Sequence, residues 1–205
     1  MSEKARVAVL VSGGGTNLQA ILDAEESGII TSGEVVLIIS SSRKAYALER
    51  AKLAGIDAYA VTKKVYGTQE NVEAKINELL AEYQIDLIVL AGFLTVLSAD
   101  FTKKWPRRML NVHPSLIPSF CGDGYYGLKV HEEALRRGVK VTGATVHFVN
   151  EITDGGEILY QKAVEVLPGD TPEVLQKRVM EQAEWILLPK AVETVSREII
   201  EMKES

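Results

Sequence analysis

Asn111 and His113 stand two residues apart in Asn111-Val-His-Pro-Ser115. Where such a segment ends a strand, alternation puts both side chains on the same side. An amide that can donate to a developing oxyanion, beside an imidazole that can move protons, is a minimal kit for acyl transfer. The competing reading of His113 is a half-buried histidine bonded to its own loop. The chain has only 3 histidines. His131 opens a predicted helix and reads as a surface residue, while His147 alternates within a predicted ribbon and reads as a packed or sheet-face residue. Asp154 sits in Thr153-Asp-Gly-Gly156, a turn in which aspartate is favoured for local hydrogen bonding. It joins a site only if the ribbon folds back and sets its carboxylate beside His113, where it would raise the ring's pKa.

A second constellation lies near the N-terminus. The apolar run Val7–Val11 gives way to Ser12-Gly-Gly-Gly-Thr-Asn17, and helical spacing resumes from Leu18. A strand, a glycine turn and a helix N-terminus gather backbone N–H groups at one point, which suits an anion. Gly15 allows close approach, and the Thr16 hydroxyl and Asn17 amide can donate. The turn is not a full dinucleotide fingerprint, because Leu18 stands where the third glycine belongs and the second strand ends in Ser40-Ser-Ser-Arg43. No Lys-Ser/Thr follows, which excludes a Walker A loop. A mononucleotide phosphate site, a dinucleotide site and a tight structural turn all stay open. Cys121 reads as structural, and no cluster has zinc or EF-hand spacing, so no metal is expected.

These groups need a scaffold, and the hydrophobic pattern supplies one. Strands are predicted at Val7–Val11, Val35–Ile39, Ala58–Val61, Asp86–Leu90 and Met109–Val112, with helices at Leu18–Ser27, Tyr46–Leu53 and about Thr68–Tyr83 between them. Alternation of strand and helix implies right-handed crossovers and a parallel sheet covered on both faces. Val139–Val149 and Glu157–Val166 then alternate as an antiparallel ribbon. Asp170 or Thr171 can cap a final helix with Pro172 at its first position, and Pro189 is expected to break or kink it. The predicted class is α/β, an open, doubly wound, mostly parallel Rossmann-like sheet with a C-terminal antiparallel ribbon and a long C-terminal helix.

With 205 residues the expectation is one domain, 1–205. Acids exceed bases by 28 to 23, so a duplex nucleic acid or an anionic membrane is a poor partner. The single cysteine fits a reducing compartment. The N-terminus lacks a signal-type apolar region, and the longest apolar stretch, Leu87–Leu97, is about half a membrane span. A cytoplasmic protein is expected.

The motifs in combination are more specific than any alone. Ser12-Gly-Gly-Gly-Thr-Asn-Leu-Gln-Ala-Ile21, Leu90-Ala-Gly-Phe-Leu-Thr-Val-Leu97, Leu110-Asn-Val-His-Pro-Ser-Leu-Ile-Pro118, Thr145-Val-His-Phe-Val149 and Asp154-Gly-Gly156 resemble, in order and over nearly the whole chain, the phosphoribosylglycinamide formyltransferases, folate-dependent enzymes of purine synthesis. The resemblance implies transfer of a formyl group from 10-formyltetrahydrofolate, as cosubstrate, to the amine of 5-phosphoribosylglycinamide. It implies that Asn111, His113 and Asp154 are catalytic, with protonated His113 and Asn111 stabilising the tetrahedral oxyanion. Gly15, Thr16, Asn17, Pro114 and Glu184 would hold the ribonucleotide. Gln69, Leu94, Thr95, Val96, Leu97, Asn111, Asn150, Glu151, Ile152, Thr153 and Asp154 would hold the folate. Residues 1–100 would form the phosphoribosyl-binding half and 101–205 the catalytic and folate-binding half, with Ile117-Pro118 in the cis form.

The chain departs from the family at several points. Gln69 and Thr95 stand where basic residues are common, the Ser119–Gly127 loop is longer than in the shortest members, and the family's Glu-His pair is Glu184-Trp185 with one residue inserted upstream. Formyltetrahydrofolate hydrolase and methionyl-tRNA formyltransferase share the core but carry an added domain, for which 205 residues leave no room. A non-catalytic nucleotide-binding module would keep the glycine turn and need nothing from Asn111, His113 or Asp154.

Overall fold

The computed structural model describes residues 4–204. Seven strands form one sheet: β1 (Ala5–Val11), β2 (Gly33–Ser40), β3 (Asp57–Ala60), β4 (Leu87–Leu90), β5 (Met109–His113), β6 (Val141–Phe148) and β7 (Ile158–Glu165), in the order β3-β2-β1-β4-β5-β6-β7. β1 to β5 pair in parallel, and β6 and β7 add antiparallel to the β5 edge. The expected α/β class and the ribbon are both present.

The continuous apolar runs are explained by burial on both faces. Val7, Val9 and Val11 of β1 face one core while Ala8 and Leu10 face the other, as strand alternation requires. The first core is closed by α1 (Thr16–Glu26), α2 (Ala47–Leu53) and the C-terminal helices α7 (Pro172–Val179) and α8 (Trp185–Glu204). The second is closed by α4 (Gln69–Glu82), which brings Val72, Ile76, Leu79 and Leu80. Short helices α3 (Lys63–Tyr66) and α5 (Ala99–Thr102), not anticipated from periodicity, turn the chain at loops, and α6 (Leu128–Arg137) precedes β6. At one or two turns, helices α3 and α5 are too short to show a 3.6-residue period.

At the C-terminal helices one of the two expected caps is found, and the break expected at Pro189 is corrected. Thr171, not Asp170, caps α7: its Oγ1 accepts from Val174 N–H at 3.3 Å, and Pro172 follows at the first position. Asp170 instead receives two guanidinium bonds from Arg178. Pro189 does not break the helix, for α8 runs through it to Glu204. The irregularity falls one turn earlier, where Met180–Glu184 widen into a π-helical turn. A π turn holds one residue more than an α turn, closing its hydrogen bond from i to i+5.

Gly143 shows where the sheet tolerates no side chain. A Cβ there would overlap the Lys162 carbonyl of the paired strand and touch Leu116 at 2.9 Å. Gly143→Ala is therefore expected to cost about 3 kcal/mol of stability or more, read from equilibrium urea denaturation.

Candidate active site

β1 is flanked by β2 on one side and β4 on the other, so chain order reverses there, and open α/β sheets bind ligands at that crevice beyond the strands' carboxyl ends. β1 leads into the glycine turn, β4 into residues 91–98, and β5 ends on His113. Asn111 pairs with Leu90 on one side and with His147 on the other, so an amide and an imidazole meet across the β5–β6 ladder.

Asp154 completes the cluster. Its backbone is left-handed (φ 54°), a conformation aspartate tolerates better than most residues. Gly156 behind it has no room for a Cβ against the Phe148 carbonyl, which explains the Asp-Gly-Gly order. Its carboxylate makes no local turn bond. Oδ2 accepts from Gly122 N–H at 2.9 Å and lies 3.4 Å from His113 Nδ1. Oδ1 accepts from Asn111 Nδ2 at 3.4 Å and is 3.6 Å from His147 Nε2. Burial pushes this carboxyl upward, but His147, His113 and the Gly122 amide outweigh it and hold the group below its usual range.

His113 has an acceptor at each ring nitrogen: Phe120 O is 2.8 Å from Nε2, and Asp154 faces Nδ1. Both favour the imidazolium, yet burial outweighs them and the ring is pushed below its ordinary value. The expectation that Asp154 raises the pKa is right for that one contribution and wrong for the sum. His147 Nδ1 donates to Phe148 O at 2.9 Å, which sets Nε2 between Asn111 Nδ2 at 3.1 Å and Asp154 Oδ1 at 3.6 Å. Asn111 thus spends one amide hydrogen on His147 and the other on a long, weak contact with Asp154, which an oxyanion can displace.

Two hollows meet at this cluster. One, of about 590 Å³, is lined by Leu94, Thr95, Val96 and Leu97 on one side and Asn150, Glu151, Ile152, Thr153 and Asp154 on the other. The second, about 1100 Å³, runs past His113, Pro114 and residues 122–127. Phe93, Leu94, Val96, Asn111, Thr153 and Asp154 line both, so the cluster stands at their junction. The Ile117-Pro118 bond is cis.

At the glycine turn, Gly15 takes φ 71° and presses against α2, where a Cβ would come within 2.7 Å of Ala47 Cβ. No side chain caps α1, leaving the Thr16 and Asn17 amides at its N-terminus. The Asn17 side chain does not point outward as a free donor. Its Nδ2 donates to Glu184 Oε2 at 2.7 Å, across 167 residues of sequence, and its Oδ1 has no partner among the described residues. Glu184, on the π-helical turn, is buried, and burial pushes its carboxyl up to about 7 against the single Asn17 bond.

Three expectations need correction. Gln69 does not line the cleft: its amide donates to Glu73 and to the Val96 carbonyl, bracing the loop from behind. His131 is completely buried, because the i,i+3 spacing that buries Ala134 turns it inward too. Both its nitrogens lack partners among the described residues, and burial, then the charge of His113, pushes it down to about 4. His147 is a member of the site, which its alternation alone could not tell from packing. The signal was its register opposite Asn111.

Among the described residues no group of three or more His, Cys, Asp or Glu is placed to hold a metal, and no helix is long and apolar enough to cross a membrane. The buried amide–imidazole–carboxylate cluster sits between two hollows of an open α/β sheet, and the chain belongs to the formyl transferase family, whose model matches residues 5–192. A phosphoribosylglycinamide formyltransferase of Haemophilus influenzae is 37% identical, covering 98% of this chain and 91% of that protein. The trifunctional purine biosynthetic protein adenosine-3 of Bos taurus is 42% identical over 99% of this chain, which spans only 19% of that protein. Among solved structures, glycinamide ribonucleotide transformylase 1 from Symbiobacterium toebii superposes with a TM-score of 0.88 at 42% identity, covering 95% of this chain and 89% of that one.

The Glu184 carboxyl gives a pH test. Its folded-state pKa of about 7 exceeds its ordinary 4.5, so its contribution to stability is complete below pH 4.5 and is lost as pH rises through 7. Relative to wild type, Glu184→Gln should gain roughly 3 kcal/mol between those limits, measured by urea denaturation at both ends. Parallel stabilities would refute the assignment.

Proposed function

We propose that the protein transfers the formyl group of 10-formyltetrahydrofolate to the amine of 5-phosphoribosylglycinamide, giving 5-phosphoribosyl-N-formylglycinamide and tetrahydrofolate. One observation carries this reading: Asn111, His113 and Asp154 converge where two hollows meet, the arrangement a two-substrate acyl transfer needs. The mostly apolar cleft between 94–97 and 150–154 suits a flat heterocycle. The glycine turn, with the Asn17–Glu184 pair beside it, suits a phosphoribosyl group, its phosphate on the α1 N-terminus. On this reading residues 1–100 supply the phosphate end and 101–205 most of the folate and transfer machinery, with Glu184 returning to the first half.

The neutral amine attacks the formyl carbon, forming the new C–N bond and a tetrahedral oxyanion. Asn111 Nδ2 exchanges its weak bond to Asp154 for the oxyanion. His113, neutral at rest because of burial, takes up the amine proton, and Asp154 beside it stabilises the imidazolium. The C–N bond to the folate nitrogen then breaks, and the proton passes to that nitrogen. Asp154 serves His113 best while ionised, which its depressed pKa secures.

The test is an assay with both substrates. His113→Ala and Asp154→Asn should each lower kcat by about 10²- to 10⁴-fold, with the ribonucleotide Kd nearly unchanged by calorimetry. Near-wild-type turnover in both would sink the mechanism. Formyl loss without the ribonucleotide would instead indicate a hydrolase, and stabilisation by NADP alone a dinucleotide site. Because the neutral form of His113 is required and its pKa is depressed, wild-type kcat/KM should fall on acidification with a midpoint below 6.5; a fall with its midpoint above 6.5 would exclude this role.

A further inference from the structure

Glu73 lines neither hollow, yet both its oxygens are committed to the segment that does. It lies on α4, 8% exposed. Oε1 accepts from the backbone N–H of Ser98 at 2.7 Å and from Gln69 Nε2 at 2.9 Å, and Oε2 accepts from the Ser98 hydroxyl at 2.5 Å. Gln69 passes the connection on, its Nε2 donating also to Val96 O at 3.1 Å. The Ser98 hydroxyl in turn accepts from Phe101 N–H as the cap of α5. At the other end, Leu94 N–H donates to Ser12 Oγ at 2.9 Å.

Residues 94–97 belong to no helix or strand, and Leu94 and Val96 are 63% and 70% exposed. Within this wall Leu97 packs against the second core, while Leu94 and Val96 have no such hold. Nor does α4 need Glu73 to form, since Thr68 caps it and its apolar side is packed. A buried carboxylate whose three donors come from this segment, or from a side chain braced against it, acts on the segment rather than on its own helix.

We infer that Glu73 is a positioning residue for the formyl donor: through Ser98 directly and Val96 by way of Gln69, its carboxylate fixes the backbone of the cleft wall against which the folate ring lies. This rests on the proposed donor. A wall ordered in advance spares the donor the entropy of ordering it on binding. Loosening it should weaken donor binding and leave the transfer cluster, on β5 and the β6–β7 turn, in place. Glu73→Gln sets an NH2 group against Ser98 donors; Ser98→Ala removes only the hydroxyl link.

Steady-state kinetics on both variants, with 10-formyltetrahydrofolate and the ribonucleotide each varied, reads the effect, and tetrahydrofolate Kd is measured by calorimetry. The KM for the donor and the tetrahydrofolate Kd should rise about 10-fold in Glu73→Gln and less in Ser98→Ala. The ribonucleotide KM and saturating kcat should stay within about 2-fold of wild type. Unchanged donor KM in both variants would overturn the inference, as would equal deterioration of both KM values and kcat. If Glu73→Gln fails to fold, Ser98→Ala alone decides. Wild-type inactivity on this substrate pair would refute the proposed reaction, while the calorimetric comparison still judges the clamp; no tetrahydrofolate binding by wild type would refute both.

Discussion

Burying the Asp154 carboxylate is the constraint on which the transfer site depends. A carboxylate withdrawn from water is costly unless its lone pairs are filled. Here the neighbours come from three places: Gly122 from the 119–127 loop, Asn111 and His113 from β5, and His147 from β6. Of these only His147 is near Asp154 in sequence; the other three lie more than 30 residues away. The left-handed residue that delivers the carboxylate, and the glycines that let its turn fold tightly, exist to bring one charge to a point where four segments meet. Satisfying that charge also fixes the rotamers of the groups that would act on a substrate.

The two buried carboxyls of the crevice show how environment divides identical chemistry. Asp154 meets an amide hydrogen, a side-chain amide and two imidazoles, and it stays ionised. Glu184 meets one neutral amide from Asn17, and its proton leaves only near neutrality. Burial pushes both the same way; the number and charge of the partners decide the outcome. One group is suited to stabilising positive charge, the other to hydrogen bonding as either donor or acceptor.

The strands were legible because a two-faced parallel sheet writes itself as unbroken runs such as Val7–Val11 and Val35–Ile39, which no surface segment would show. Asn111 and His113 were legible as a pair because they share a strand. Asp154 was readable as a candidate only through its turn, whose local chemistry offered an equally good explanation. What escaped was decided by distance in three dimensions. The Asn17–Glu184 bond spans 167 residues, and no local pattern encodes it. Gln69 looked like a ligand contact by its place in the family pattern, yet in this chain Glu73 and the Val96 carbonyl claim its amide. His131, at the start of a predicted helix, reads as a surface residue, but the face it shares with Ala134 decides its burial.

The π-helical turn at Met180–Glu184 has an implication for how the chain can change length. One residue added to a regular α-helix rotates everything beyond it by about 100°. Spread along α7 and α8, that rotation would carry Leu187, Val192 and Val195 out of the first core and swing Glu184 away from Asn17. Confined to a single wide turn, the addition leaves both flanking faces aligned with the sheet. The C-terminal helices thus possess one place where a residue can be gained or lost without the rest of the molecule registering it, and that place adjoins the end of the crevice assigned to the sugar.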